Sequence, residues 1–352
     1  MNFQLDFFMG ALCPAGFTGF FPSLQQAGWK LYLLKAGPGC GKSTLMRKLA
    51  DRADGTVERI HCSSDPASLD GVIFWKQHAA VLDATAPHAL DPLYPGAGEQ
   101  VISLYDALDS SMLTQSRGEI KALFRQCSTL QKRAAHYIQA AGILLEENRS
   151  MAAEALDHAK AQRYAGHLAH RELPACNRAG SEQLRFLGAV TLQGLTFYRD
   201  TVPKLARRIV VFHDESGAAS GMILQQLRDA ALAKGHQIIT CRCPLAAEPR
   251  IEHLFVPALQ LAFLTSNSRN PCRFEGQKNV RCSRFMNQDA LQAHHRLMRF
   301  NSRAAGEMMA QTSDLQRQAK HCHDLLEQHY RAACDFSRAD AALEQIADDL
   351  AL

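Results

Sequence analysis

The sequence predicts an α/β fold made of two tandem copies of one unit, each a parallel sheet with an appended helical hairpin. Three observations predict it. The chain matches itself at a nearly constant offset, short apolar runs alternate with helical or loop segments, and a long stretch with a period near 3.5 closes each half.

At an offset of 178, Phe8-Met9-Gly10-Ala11 meets Phe186-Leu187-Gly188-Ala189, and Leu31-Tyr32-Leu33-Leu34 meets Ile209-Val210-Val211-Phe212. After a four-residue insertion the offset is 182, where Leu69-Asp70-Gly71-Val72 meets Ile251-Glu252-His253-Leu254. Near the ends of the halves it is read as 181, with Leu144-Leu145-Glu146 on Leu325-Leu326-Glu327. An ordered series of this kind marks a tandem duplication of about 180 residues per copy. The copies are placed at 1–176 and 181–352, with Pro174 to Gly180 as the linker.

Each copy opens with a glycine-turned hairpin. In the first, a strand at Leu31 to Leu34 runs into a glycine loop, a helix follows from Lys42 to Asp51, and further strands lie at Val57 to Cys62 and Ala79 to Asp83. Ile120, Leu123, Cys127, Leu130, Ala134, Ile138 and Ala141 then recur at coiled-coil spacing. Met308, Leu315, Ala319, Cys322 and Leu326 do the same in the second copy. Each region reads as a helical hairpin packed on itself or on its counterpart.

Composition narrows the function classes. The 352 residues are 47% hydrophobic and 21% charged, enough for two packed cores. A net charge of +4, spread along the chain, is too weak to indicate nucleic acid or an anionic membrane. Eleven cysteines without framework spacing read as reduced thiols in a cytoplasmic protein. The uncharged stretch from Phe7 to Trp29 is broken by Pro14, Pro22 and four glycines, and its second copy contains Arg185, Arg199 and Asp200. That excludes a membrane span.

One specific motif stands in the first copy: Ala36-Gly37-Pro38-Gly39-Cys40-Gly41-Lys42-Ser43-Thr44, between a strand and a helix. It is a Walker A phosphate loop with Ala36 at the usual first glycine. Backbone N–H groups from Gly37 to Lys42 and the helix N-terminus can wrap a phosphate, Lys42 can bridge β- and γ-oxygens, and the Ser43 hydroxyl can ligate Mg²⁺. The motif predicts a P-loop NTPase domain with ATP and Mg²⁺ as cofactors. Asp83, at the end of an apolar strand, is the expected second metal ligand; the alternative is a turn cap. His61 and Asp65 follow the second strand at the same sheet edge, where Asp65 could orient a water and His61 could do acid–base work. A strand end running into a turn is the plainer reading of that segment. His88, Asp91 and Glu99 are further candidates for activating water. No acid directly follows Asp83, which predicts slow hydrolysis.

The second copy breaks the motif. Lys42 is matched by Ser220, Ser43 by Gly221, Gly41 by Ala219, Ala36 by Asp214 and Asp83 by Thr265. The lysine charge is gone and two carboxylates, Asp214 and Glu215, enter the loop, where they repel a polyphosphate, so the second half is expected to bind no Mg–ATP. It could serve as a built-in partner, with Arg207, Arg208 or Arg269 reaching the first half's γ-phosphate. Cys241-Arg242-Cys243 and His321-Cys322-His323 lack zinc-site spacing. The basic loop between Cys272 and Cys282 has too few aromatics for nucleic acid.

Lys35 to Met46, His61-Cys62-Ser63-Ser64-Asp65-Pro66, Leu69-Asp70-Gly71 and Thr85-Ala86-Pro87-His88 together resemble an uncharacterised bacterial family of tandem phosphate-loop ATPases, over nearly the whole chain. The resemblance implies an ATPase with duplicated nucleotide-binding domains and a preference for adenine. Members usually keep a working loop in the second half, and this chain departs there. The leading expectation is a slow Mg-dependent ATPase acting through its first half, with a degenerate regulatory second half. The alternatives are a nucleotide or small-molecule kinase, and an ATP-dependent switch whose helical hairpins bind a protein partner.

Overall fold

The computed structural model describes residues 3–86 and 88–352. Strand β1 (Gln4–Phe7) is followed by the hairpin β2 (Gly10–Cys13) and β3 (Gly16–Gly19), then α1 (Pro22–Gln26) and β4 (Lys30–Lys35). Next come α2 (Lys42–Arg52), β5 (Val57–His61), β6 (Leu69–Phe74), β7 (Ala79–Asp83) and β8 (Glu99–Ser103). Helices α3 (Ser110–Gln115), α4 (Arg117–Glu154) and α5 (His158–Glu172) end the first copy. The second repeats the order: β9 (Ser181–Arg185), β10 (Gly188–Thr191), β11 (Gly194–Phe197), α6 (Thr201–Leu205), β12 (Arg208–His213), α7 (Ala218–Ala233), β13 (Gln237–Arg242), β14 (Ile251–Val256), β15 (Leu261–Ser266) and β16 (Lys278–Arg281). Helices α8 (Gln288–Ala332) and α9 (Phe336–Leu350) follow.

The two six-stranded sheets have one topology. The first runs β1-β5-β6-β7-β4-β8 and the second β9-β13-β14-β15-β12-β16. The sheets are mixed, not parallel as the sequence suggests, because β6 and β14 run antiparallel to both neighbours. Each is a fully buried run joined to the next strand by a tight turn, which permits only antiparallel pairing. The register repeats from one sheet to the other: Leu34 pairs with Asp83, and Phe212 with Thr265. Both inner strands carry a bulge at the same place, Ile60/His61 and Cys241/Arg242.

A pseudo-twofold axis relates the copies. Phe8 and Phe186 exchange backbone hydrogen bonds at 2.9 and 2.8 Å, each with its own repeat equivalent. Leu108 bridges Cys334 and Leu156 bridges Met286, two contacts that the same operation interchanges. The 38-residue α4 and 45-residue α8 pair antiparallel, with Cys127 against Ala319, Ala134 against Thr312 and Asn148 against Asn301. Buried positions on the two helices coincide at an offset of 178, as Cys127 with Ala305 and Ala141 with Ala319. The offset of 181 read from the sequence is therefore corrected to 178. Coiled-coil repeats match themselves at several spacings, and burial selects one.

Alternate residues of each strand face opposite layers. Leu31 and Leu33 meet Ile209 and Val211 in a core between the sheets. Tyr32 and Leu34 face outward, under α2 and α9. The outer face of the second sheet, with Val210 and Phe212, is covered by α7 and α5. The terminal helices are thus exchanged: α9, from the second copy, completes the first core through Ala342, Leu343 and Ile346, and α5 completes the second through Ala161, Ala165 and Leu168. Asp157 and Asp335 start these helices as equivalent side-chain caps. The sequence boundary at Pro174 to Gly180 falls between α5 and β9, but neither core is closed by its own copy. Arg185 and Glu58 form an ion pair at 2.9 Å, without exposure, that ties the sheets together. Among the described residues no helix is long and apolar enough to cross a membrane.

Candidate functional site

The carboxyl ends of β4, β5 and β7 and the start of β6 share one edge of the first sheet. At that edge the chain leaves β4 at Lys35, turns through residues 36–41 and enters α2 at Lys42. Gly39 and Gly41 take φ of +72° and +84°, where side chains are disfavoured. No side chain caps α2, and the N–H groups of Gly39, Cys40 and Gly41 donate to no acceptor among the described residues. Free amides at a helix start favour an anion.

Lys42 folds back over this loop. Its Nζ donates to the carbonyls of Ala36 and Gly37, both at 3.1 Å, and lies 3.5 Å from Asp83 Oδ2. The register that pairs Leu34 with Asp83 is what brings this carboxylate to the loop. Asp83 also accepts from Thr85, N–H at 2.9 Å and Oγ1 at 2.5 Å, so one oxygen holds the turn while the other faces Lys42. Ser43 Oγ accepts from the N–H of Leu69 at 3.0 Å, anchoring α2 to β6. Thr44 is exposed beside it. The buried Cys40 thiol is pushed up to about 12 by desolvation and by the neighbouring Cys334.

The remaining candidates are spread out. Asp65 accepts from Ala67 N–H and Ser68 Oγ and lies 3.6 Å from Lys320 of α8; no contact among the described residues joins it to Lys42 or Asp83. His61 hydrogen-bonds Pro66 O and Asp6 Oδ1 and stacks on Tyr198, so it fastens the seam between the copies. Glu99 is buried and accepts from Gln25 and from Tyr94 N–H, and Asp91 pairs with Lys35. These three serve as structural ties.

Three side chains at this edge carry no recognisable spacing in sequence. Cys62, Asp70 and His88 place one ligand-type atom each within 4.8 Å of the others. His88 Nε2 pairs with Asp70 Oδ2 at 3.0 Å, and His88 Nδ1 is buried without a hydrogen-bond partner. Burial opposes charge on His88, but the carboxylates of Asp70 and Asp83 outweigh it and raise its pKa.

The end of α8 and the start of α9 cover the glycine loop from the other copy. A Cβ on Gly37 would lie 2.6 Å from the Tyr330 ring, and one on Gly39 would lie 3.1 Å from Arg331 Cγ. Arg331 therefore lies against this loop, its guanidinium held by Glu327 at 3.0 Å. Arg208 pairs instead with Glu172, and Arg269 donates to Glu215 O in the second half; nothing ties Arg207 to the loop among the described residues. The helix exchange that brings in Arg331 has no local sequence signal.

The second loop is closed by its own carboxylate. Asp214 accepts from the N–H groups of Ser216, Gly217 and Ser220 at 3.2, 3.0 and 2.8 Å. Gly217 keeps the φ of Gly39, but α7 begins at once, winding the residues matched to Cys40 and Gly41 into helix. Beside it lies a cleft lined by Glu215, Arg250, Glu252, Arg269 and Asn270. Burial pushes Glu252 up to about 7, against the pull of Arg250 and Arg269. This cleft lies in the second half, at the edge equivalent to the first loop.

No family model, no curated protein and no solved structure matches this chain.

Proposed function

We propose that the first half binds a magnesium-bound nucleoside triphosphate, ATP by the family resemblance, at residues 37–44, and hydrolyses it slowly. The observation that supports this most is the contrast between the two loops. In the first, the amides of Gly39, Cys40 and Gly41 are unpaired and Lys42 lies over them. In the second, the amide matched to Gly39, that of Gly217, donates to Asp214, as does that of Ser220 at the position of Lys42, and the amide matched to Cys40, that of Ala218, donates to Ser216 Oγ. An anion supplied from outside would complete in one copy what a side chain completes in the other.

The residues present fit Mg²⁺ and a polyphosphate. Ser43 and Asp83 would hold the metal, whose chemistry there is to neutralise phosphate oxygens. Lys42 would exchange its two carbonyl partners for phosphate oxygens, and Asp83 would keep the ammonium oriented. Tyr330 and the α8 end exclude water from the loop's far side. Besides Lys42, Arg331 from the second copy lies against the loop, and so the second half would act as a fixed partner. The carboxylates at the loop are already engaged, Asp83 by Thr85 and Lys42, and Glu327 by Arg331, which fits slow turnover.

Phosphate release with Mg–ATP separates the readings. Wild type should release free phosphate without an added acceptor, and Lys42→Ala should slow release at least tenfold. Release that depends on an acceptor would favour a kinase. Equal rates in both proteins would remove the proposal.

A further inference from the structure

We propose that Cys62, Asp70 and His88 form a binding site for a divalent transition-metal ion of the zinc class, distinct from the magnesium position at Ser43 and Asp83. Thiolate, imidazole and carboxylate together suit a borderline ion; magnesium and calcium take oxygen donors. A tetrahedral ion with these bond lengths holds its ligand atoms about 3.5 Å apart. The three atoms already lie within 4.8 Å of one another, so small side-chain rotations complete the set. Asp70 and His88 are at least nine-tenths buried, His88 Nδ1 has no hydrogen-bond partner, and Asp70 Oδ2 has only the His88 imidazole, at 3.0 Å. Buried polar atoms left in this state call for a ligand. Three protein ligands leave a fourth position for water or a substrate atom, as in catalytic zinc sites.

The duplication supplies an internal comparison. The strand register places Cys243 opposite Cys62 and Glu252 opposite Asp70. Asn270 stands as far beyond Thr265 as His88 stands beyond Asp83. The second copy therefore keeps the thiol and the carboxyl but has Asn270 at the position of His88, and its own imidazole, His253, lies 3.4 Å from the Asn270 amide and 3.7 Å from Glu252. In the same pocket Arg250 donates to Cys243 Sγ at 3.3 Å and to Ser216 O at 3.0 Å. A guanidinium thus provides a built-in cation there. The residue matched to Arg250 in the first copy is Ser68, whose hydroxyl donates to Asp65 and brings no charge. One copy sets a guanidinium against the thiol, and the other has a third ligand-type side chain and an uncharged serine at the guanidinium's position. This inference does not depend on nucleotide binding.

Cobalt is the probe. The reduced full-length chain, titrated with Co²⁺ without oxygen and then dialysed, should retain about one ion per chain. It should show a thiolate-to-cobalt charge-transfer band that Zn²⁺ displaces. Cys62→Ser should remove the band, and Cys243→Ser should leave it intact. His88→Ala should weaken binding by more than about 100-fold, beyond the loss typical of an outer-shell change. Asp70→Asn, which keeps the side-chain shape, gives the same weakening if His88→Ala does not fold. Folded wild type that retains neither Co²⁺ nor Zn²⁺, or a band that survives Cys62→Ser, overturns the site, whatever ATP does.

Discussion

Replacing Asp214 with Ala removes one acceptor that serves three backbone amides and the Ser216 hydroxyl, at 2.8 to 3.2 Å. A single helix-capping bond contributes about 1 kcal/mol, and a bond to a charged acceptor about 1.5–3 kcal/mol. The four bonds share one carboxylate and the emptied loop is partly rehydrated, so they do not add. The expected cost is about 2–4 kcal/mol, at the upper end for a lost cap because Asp214 is buried. Asp214→Asn keeps the shape and one acceptor oxygen but turns an amide toward the Ser220 N–H; about 1–2 kcal/mol should be lost. Urea denaturation followed by circular dichroism measures both. The reasoning also predicts that sulfate stabilises Asp214→Ala more than wild type, because an outside anion can take the freed amides. A loss below about 0.5 kcal/mol, the scale of an ordinary surface change, together with no sulfate effect, would refute the self-capped loop.

Two further outcomes follow from the packing and the buried charges. Leu343→Ala in α9 opens a cavity in the first core, which that helix completes from the other copy, and should cost about 2–5 kcal/mol in urea denaturation. Proteolysis within α2 or β4 should then become faster than in α7. Glu252 titrates near 7 in the folded protein against an ordinary 4.5, because burial disfavours its charge. Its contribution to stability is complete below pH 4.5 and is lost as pH rises through 7, on the order of 1–3 kcal/mol. Stability measured from pH 5 to 8 should fall more steeply in wild type than in Glu252→Gln, and equal slopes would contradict the assignment.

Much of this architecture can be read from the chain, and its limits have physical causes. The strand at Leu31 to Leu34, the glycine loop, the helix from Lys42 and the strand ending at Asp83 are all local patterns, and each lies where the pattern places it. Strand β6 is harder to read. Leu69 to Phe74 is buried on both faces, so it lacks alternation, and Asp70 and Gly71 interrupt its apolar run. The exchange of α5 and α9 is invisible because an amphipathic helix specifies an apolar face and not whose core receives it. Arg331 reaches the loop only through that exchange. Cys62, Asp70 and His88 converge from three segments through the β5–β6 bulge and the turn after β7, and no fixed spacing encodes such a meeting. Asp214 is legible as a foreign charge in a phosphate-loop frame. That its carboxylate fills the loop's own amides becomes visible only with the backbone in place.

Calorimetric titration of the folded, metal-replete chain with Mg–ATP tests the central claim most directly. One binding event per chain is expected, abolished or weakened by about 2–4 kcal/mol in Lys42→Ala, the scale of losing a buried charged partner. Two equivalent events per chain, no heat with either ATP or GTP, or an unchanged affinity in Lys42→Ala would contradict it.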